Sequence, residues 1–271
     1  MATTPEALVR VRSLLAVPGH RPDRFDKAAR SGADSIMLDL EDSVGPDLKS
    51  AARENVAQWL DSGGMGVVRI NAADTAWHIE DLAMLAHHRC IVMIPKVVAA
   101  HEVAHVLSRL AAGSQAIPVF ETAAGILHAE EICAMPGVVR AIFGNADLGA
   151  ELGVDPANRH AFGYARSRVV LASAAAHLPP PIDGVTVGLE DAQALDEDAR
   201  HAKALGFTGK ACLHPRQVPV VNEVFTPTDR DLAWAQEVLA SSPDGSVGQL
   251  QGQVVGKPML ERAKRLLASQ S

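Results

Sequence analysis

Glu121 and Asp147 each follow a short apolar run, AIPVF before the first and AIFGNA before the second. If those runs are neighbouring parallel strands, the two carboxylates reach one opening, where water and a ligand would complete a shell of hard oxygens suited to Mg2+ or Mn2+. The alternative is that each acid caps the helix that follows it. Glu is a poor cap, however, and neither acid has Glu or Gln three residues further on. Arg69, inside Val67-Val68-Arg69-Ile70, needs a carboxylate partner from a substrate or from the protein. The protein candidates are Asp39, Glu41 and Asp42. Asp39 ends an apolar run and is expected inside, supporting a metal from behind; the other reading is a solvated loop in which Asp42 or Ser43 caps the next turn. Arg21, Arg24, Lys27 and Arg30 make a local cationic patch that suits either a phosphate or plain solvent. Lys96, after Ile94-Pro95, opens a rival chemistry, a metal-free aldolase working through a Schiff base, although no second cation stands close in sequence to lower its pKa. The eleven histidines are read as showing no HxH or HExxH pairing, so no zinc site is expected.

Such residues do chemistry only if the fold gathers them. Runs rich in Val, Ile and Leu recur at Ser13–Val17, Ser35–Leu40, Gly66–Asn71, Ile91–Lys96, Ala116–Glu121, Arg140–Gly144, Ile182–Val187 and Lys210–His214. Each is followed by a segment with helical spacing of Ala and Leu. The helices are expected near Pro22–Ser31, Asp47–Ser62, Thr75–Ala86, Ala99–Ala112, Ala123–Ala134, His160–His177, Leu189–Leu205 and Arg216–Val224. This alternation has the count of a closed (β/α)8 TIM barrel, in which chemistry sits at the C-terminal ends of the strands. A doubly wound sheet is the alternative. The barrel is expected over residues 1–225. Residues 226–271 hold a further helix at Asp229–Ala240, a turn at Ser242–Gly245, a Gly/Gln-rich stretch to Gly256 and a last helical piece from Pro258, read as an arm that packs on the barrel or on a neighbouring subunit.

Composition narrows the class. With 48% hydrophobic and only 4% aromatic residues among 271, the chain can build a large aliphatic core, which excludes a disordered or disulfide-stapled scaffold. A net charge of −7 repels polyanions, so no nucleic-acid partner is expected. Three widely spaced cysteines suit a reducing cytoplasm, and neither a secretory signal nor a membrane span is expected.

An ordered series of segments then resembles the citrate lyase β-subunit-like (CitE-like) family of the HpcH/HpaI aldolase superfamily, relatives of malyl-CoA lyase. The series is Arg12-Ser13-Leu14-Leu15 with Val17-Pro18-Gly19, Leu38-Asp39-Leu40-Glu41-Asp42-Ser43-Val44, Val68-Arg69-Ile70-Asn71, Ile94-Pro95-Lys96, Glu121-Thr122-Ala123-Ala124-Gly125-Ile126, Gly144-Asn145-Ala146-Asp147-Leu148, and Gly209-Lys210 with His214-Pro215-Arg216-Gln217. The resemblance implies a (β/α)8 barrel with an extra C-terminal helix, commonly a homotrimer. It also implies a Mg2+-dependent carbon–carbon lyase that cleaves a 3-hydroxy-3-carboxyacyl-CoA thioester to an acyl-CoA and a 2-oxo acid. By motif match Glu121 and Asp147 take the metal places, Arg69 the substrate-carboxylate place, and Arg21 and Lys27 places near substrate or CoA. Two positions depart from the pattern. Ala16 stands where malyl-CoA lyase relatives often have Phe, and Gly256 stands where CoA-acting relatives carry an Asp that handles a proton in a neighbouring subunit's site. A metal-dependent aldolase on free acids, and a carrier-dependent or catalytically silent subunit, are the competing functions.

Overall fold

The computed structural model describes residues 8–242, 247–250 and 252–268. The chain divides into two compact units, Met1–Phe225 and Thr226–Ser271.

In the first unit, eight parallel strands close into a barrel in sequence order: β1 Ser13–Pro18, β2 Ser35–Asp39, β3 Val67–Arg69, β4 Ile91–Ile94, β5 Gln115–Phe120, β6 Ile142–Phe143, β7 Ile182–Asp183 and β8 Gly209–Cys212. The barrel closes where Ser13 to Leu15 of β1 pair with Lys210 to Cys212 of β8. The helices are α1 Phe25–Ala29, α2 Lys49–Asp61, α3 His78–Leu85, α4 Ala100–Arg109, α5 Ala123–Leu127, α6 Ala129–Cys133, α7 Asn145–Leu152, α8 Gly163–Ala175, α9 Ala192–Leu205 and α10 Val218–Phe225. The closed barrel is the fold expected from the alternation of strands and helices; the doubly wound alternative is excluded.

The strands read as unbroken apolar runs because both faces are buried, yet their side chains still alternate. Leu14, Met37, Val67, Ile91, Met93, Ile117, Val119, Ile142, Ile182 and Ala211 fill the barrel interior together with Leu8 and Val11. Their neighbours, such as Leu15, Ile36, Leu38, Val68, Val92, Ile94 and Phe120, pack outward against the helices. Leu8 and Val11 plug the N-terminal end of the barrel, and fully buried Arg140 locks them there. Its guanidinium donates to the carbonyls of Leu8, Val11 and Pro180 and to Thr208 Oγ1.

Several boundaries differ from the sequence reading. The helix expected over Ala123–Ala134 is two short helices that meet at His128. The first residues of Pro22–Ser31 form a 3-10 turn, Pro22–Arg24, before α1. An unforeseen helix, α7, follows β6 at once. Only Ile142–Phe143 and Ile182–Asp183 pair as strand within the sixth and seventh runs.

In the second unit, α11 (Asp229–Ala240) starts in a capping box between Thr228 and Asp231. The Gly/Gln-rich stretch contains an antiparallel hairpin of β9 (Gly248–Leu250) and β10 (Gln253–Val255), where no strand was expected. Helix α12 (Lys257–Ala268) follows. Ala235, Val238, Val255, Leu260 and Ala263 make this unit's own small core, with Arg262 4.7 Å from the Trp234 ring centroid. Of the expected turn at Ser242–Gly245, residues beyond Ser242 lie outside the described residues.

Candidate active site

Strand alternation decides which polar residues reach the barrel mouth. Asp39 is two residues after Met37, Arg69 two after Val67, and Glu121 two after Val119, so all three continue inward-facing rows at the C-terminal end. Asp183 and Lys210 are adjacent to inward-facing Ile182 and Ala211, which turns them outward into the helix layer.

Asp39 and Arg69 form a two-pronged pair, Nε to Oδ1 at 2.7 Å and Nη2 to Oδ2 at 2.8 Å. Nη1 then lies 3.0 Å from Glu41 Oε2 and 3.4 Å from Asp42 Oδ2. The protein partner anticipated for Arg69 is therefore present, and Nη1 faces the mouth against Glu41 and Asp42. Asp39 also accepts from the backbone N–H groups of Glu41 and Ser43, which shapes the acidic segment into a tight loop. Lys96, in the turn two residues past the end of β4, has a left-handed backbone, φ 52°, a conformation that costs a side-chain-bearing residue energy and marks functional sites. Its N–H donates to Glu121 Oε1 at 2.8 Å. Its Nζ stands 3.3 Å from Glu41 Oε1, 3.5 Å from Asp147 Oδ1 and 4.0 Å from Asp42 Oδ1.

Glu121 does not cap α5, because Thr122 does so by accepting from the Gly125 N–H. Asp147 is not at a strand end; it lies in the first turn of α7, whose start makes no side-chain capping bond. Asn145 sets that start. Its side chain donates to the carbonyls of Pro156 and Val185 and accepts from the Val185 N–H. Glycine is required opposite, since a Cβ at Gly144 would fall 2.5 Å from Glu121 Cβ.

Five carboxylates, Asp39, Glu41, Asp42, Glu121 and Asp147, thus share one mouth with two cations, Arg69 and Lys96. Burial pushes Glu121 up to about 8, helped by Glu41 and Asp147. Burial likewise raises Glu41 to about 7, against the pull of Arg69. Glu41 is 5% exposed, and its two oxygens are shared between two cations, Oε2 with Arg69 and Oε1 with Lys96. These are the marks of a pocket short of positive charge. Burial lowers the Lys96 ammonium, but Glu41, Asp42 and Asp147 outweigh it and hold the amine protonated well above its ordinary range. That disfavours the Schiff-base chemistry, which needs a free amine.

Behind the acidic loop lies a network that the sequence reading did not single out. Buried Lys49 donates to the Leu40 and Glu41 carbonyls and to Asn71 Oδ1. Asn71 in turn donates through its N–H and Nδ2 to Asp81, which pairs with Arg53. A lysine one residue into α2 gives no local signal that it is buried. Arg21 is engaged by its own neighbour Asp23 at 2.7 Å, and Lys27 is exposed on α1; neither is brought into the carboxylate cluster. The histidine reading also needs correction, because His101-Glu102-Val103-Ala104-His105 has HExxH spacing on α4. The two histidines are exposed, and Glu102 accepts from the Val98 N–H. Among the described residues no three His, Cys, Asp or Glu side chains form a metal-holding group, on α4 or at the mouth.

The HpcH/HpaI aldolase/citrate lyase family matches residues 12–215. The chain belongs to this family. A citrate lyase subunit beta-like protein of Mycobacterium tuberculosis is 38% identical over 261 residues, 93% of each chain. The L-malyl-CoA/beta-methylmalyl-CoA lyase of Cereibacter sphaeroides is 35% identical over 266 residues, 85% of this chain and 83% of that one. Among solved structures, M. tuberculosis CitE in complex with magnesium, acetoacetate and coenzyme A superposes with a TM-score of 0.83 at 36% identity, covering 96% of this chain and 98% of that one. Relatives of this HpcH/HpaI family chain thus include proteins named as lyases, and one of known structure holds magnesium and CoA. Among the described residues no helix is long and apolar enough to cross a membrane.

Proposed function

We propose that the chain is a Mg2+-dependent carbon–carbon lyase that cleaves a malyl-, citramalyl- or citryl-CoA-like thioester to an acyl-CoA and a 2-oxo acid. The observation that carries this reading is the surplus of carboxylate over cation at the barrel mouth, with Asp39, Glu41 and Glu121 buried there. Glu121 and Asp147 would hold the cation, since Mg2+ is commonly bound through one or two carboxylates with water and substrate completing the shell. When bound, the ion supplies charge stabilisation to the oxygen that becomes the keto carbonyl. Arg69, its plane fixed by Asp39, turns Nη1 toward the mouth, where a substrate carboxylate would take the place now held by Glu41 and Asp42, an orientation worth more than its charge alone. Glu41, raised toward neutral pH, has the proton affinity suited to taking up the hydroxyl proton as the carbon–carbon bond breaks, the acyl-thioester enolate left by that cleavage then taking a proton at carbon to give the acyl-CoA. The homotrimer suggested by the family resemblance belongs to the same reading, and sedimentation equilibrium tests it.

The experiment is a screen of acyl-CoA and 2-oxo acid pairs, and of the corresponding free acids, with Mg2+ and after exhaustive EDTA treatment. Metal-dependent condensation or cleavage of a CoA thioester, with no turnover of free acids, is the expected outcome. Turnover in EDTA, or borohydride trapping of substrate on Lys96, overturns the reading.

Gly256 bears on the rate. Its carbonyl accepts from the Met259 and Leu260 N–H groups, making it the N-cap of α12. It is not among the glycines with left-handed φ, and an added Cβ would meet nothing nearer than Pro258 Cδ at 3.8 Å. Asp fits that position well. Without an acid there, slow turnover of standard CoA substrates and little thioester hydrolysis are expected. Gly256→Asp should raise the rate by about 10²-fold, the lower end of general acid–base help. Rapid wild-type hydrolysis, unchanged by the Asp, would assign the proton transfer elsewhere.

A further inference from the structure

Lys96 touches four of the five mouth carboxylates, Glu121 through its backbone N–H at 2.8 Å and Glu41, Asp147 and Asp42 through Nζ at 3.3, 3.5 and 4.0 Å. The fifth, Asp39, is taken by both prongs of Arg69. The left-handed backbone at Lys96, φ 52°, follows directly after Pro95 and sends this residue's N–H to one wall of the mouth and its ammonium to the others. A divalent cation bound by Asp147 sits about 2.1 Å from carboxylate oxygen, inside the space that an ammonium 3.5 Å from the same Oδ1 controls. Two cations held by the same carboxylates repel each other, strongly on the side walled by buried Glu41 and Glu121 and less toward the half-exposed Lys96 and Asp147, where water screens the charge.

We propose that Lys96 is a tethered counter-ion that fills the cation place of the metal-free site and is displaced when the divalent ion enters. This inference rests on the proposed metal site at Glu121 and Asp147, and goes beyond it by assigning to Lys96 a negative coupling with the metal. The ammonium keeps the clustered acids together while the site waits, and thereby weakens metal binding by the free energy needed to move it aside. A residue that merely packed, or that helped hold the metal, would leave affinity unchanged or strengthen it.

The test is equilibrium binding of Mn2+ to the full chain by electron paramagnetic resonance, with Lys96→Met, Lys96→Gln, Lys96→Arg and Glu121→Gln beside the wild type. Removing the tethered charge should lower the Kd for Mn2+ by on the order of 10- to 100-fold, the usual range of a coupling between sites. Lys96→Arg, which keeps a tethered cation, should bind no tighter than wild type. Thermal denaturation gives a second readout: Lys96→Met and Lys96→Gln should melt lower than wild type without metal and gain more from saturating Mn2+. If Lys96→Met and Lys96→Gln bind Mn2+ equally or more weakly than wild type, while Glu121→Gln abolishes binding, the counter-ion role is wrong and the metal site stands. If no variant binds Mn2+, or binding survives Glu121→Gln, the metal site itself fails and the counter-ion role falls with it.

Discussion

The barrel wall carries two ionic clusters, one on each side of the same sheet. In the helix layer Arg166 pairs with Asp183 at 2.8 Å, and Lys210 bridges Asp183 at 2.9 Å and Asp198 at 2.7 Å. Two acids meet two cations there. Arg166 also lies 4.9 Å from the Phe143 ring centroid. At the mouth five acids meet two cations. Asp198, although burial raises it, is held below its ordinary value by Lys210, whereas Glu41 and Glu121 are driven up. The balanced cluster completes a fold; the unbalanced one is complete only with a cation from outside. Both use the same residue types, so charge count and the parity of the strand, not composition, separate structure from site.

The largest expected effect is on turnover. Glu121→Gln or Asp147→Asn should lower kcat by about 10³-fold, in line with losing a group aimed at developing charge, while the melting temperature holds or rises because repulsion is relieved. The matching change in the wall, Lys210→Met, should do the reverse. It leaves buried carboxylate underpaired, should cost about 3 kcal/mol in urea denaturation, and should spare kcat of the folded fraction. If the wall variant lost activity without losing stability, the division between the clusters would be mistaken. Arg69→Lys comes next, at about 10-fold in kcat/KM, since a point ammonium cannot hold Asp39 with two prongs and still face the mouth. An Arg69→Lys enzyme with unchanged kinetics would reduce Arg69 to a fold-holding pair.

The last effect concerns pH. Glu41 and Glu121 have folded values near 7 and 8, above their ordinary 4.5. Their protonated forms therefore favour folding, a contribution complete below about pH 4.5 and lost as pH rises through 7 and 8. Asp198 has the opposite sign: its depressed value gives stability that is present above the ordinary carboxylate range and lost as pH falls through it. The metal-free protein should thus lose about 4 kcal/mol between pH 6 and 9, and Lys210→Met should not change that alkaline slope. A flat alkaline limb would show that the mouth acids are not strained.

The barrel was legible because eight apolar runs alternate with helical spacing, and such runs are long enough to survive errors at their ends. Asp39, Arg69 and Glu121 were legible as strand-end residues, since period-two alternation carries the inward row one step past the core. Asp147 was placed one element too early. The run before it is so short that the helix at Asn145–Leu152 could not be told from loop, and Asn145, which begins it, acts through contacts with Pro156 and Val185 that lie 11 and 40 residues away. Lys49, Asn71 and Asp81 were missed for the same reason, as their meaning is a three-way contact between separate βα units. The hairpin at Gly248–Val255 was hidden because its strands are three residues each and rich in Gly and Gln.

The most direct test of the central claim, that unbalanced charge makes the mouth a divalent-cation site, is the number of tightly bound Mn2+ ions per chain. One ion is expected in the wild type, one in Lys210→Met and none in Glu121→Gln or Asp147→Asn. An ion retained by both mouth variants, or lost from the wall variant alone, would contradict it.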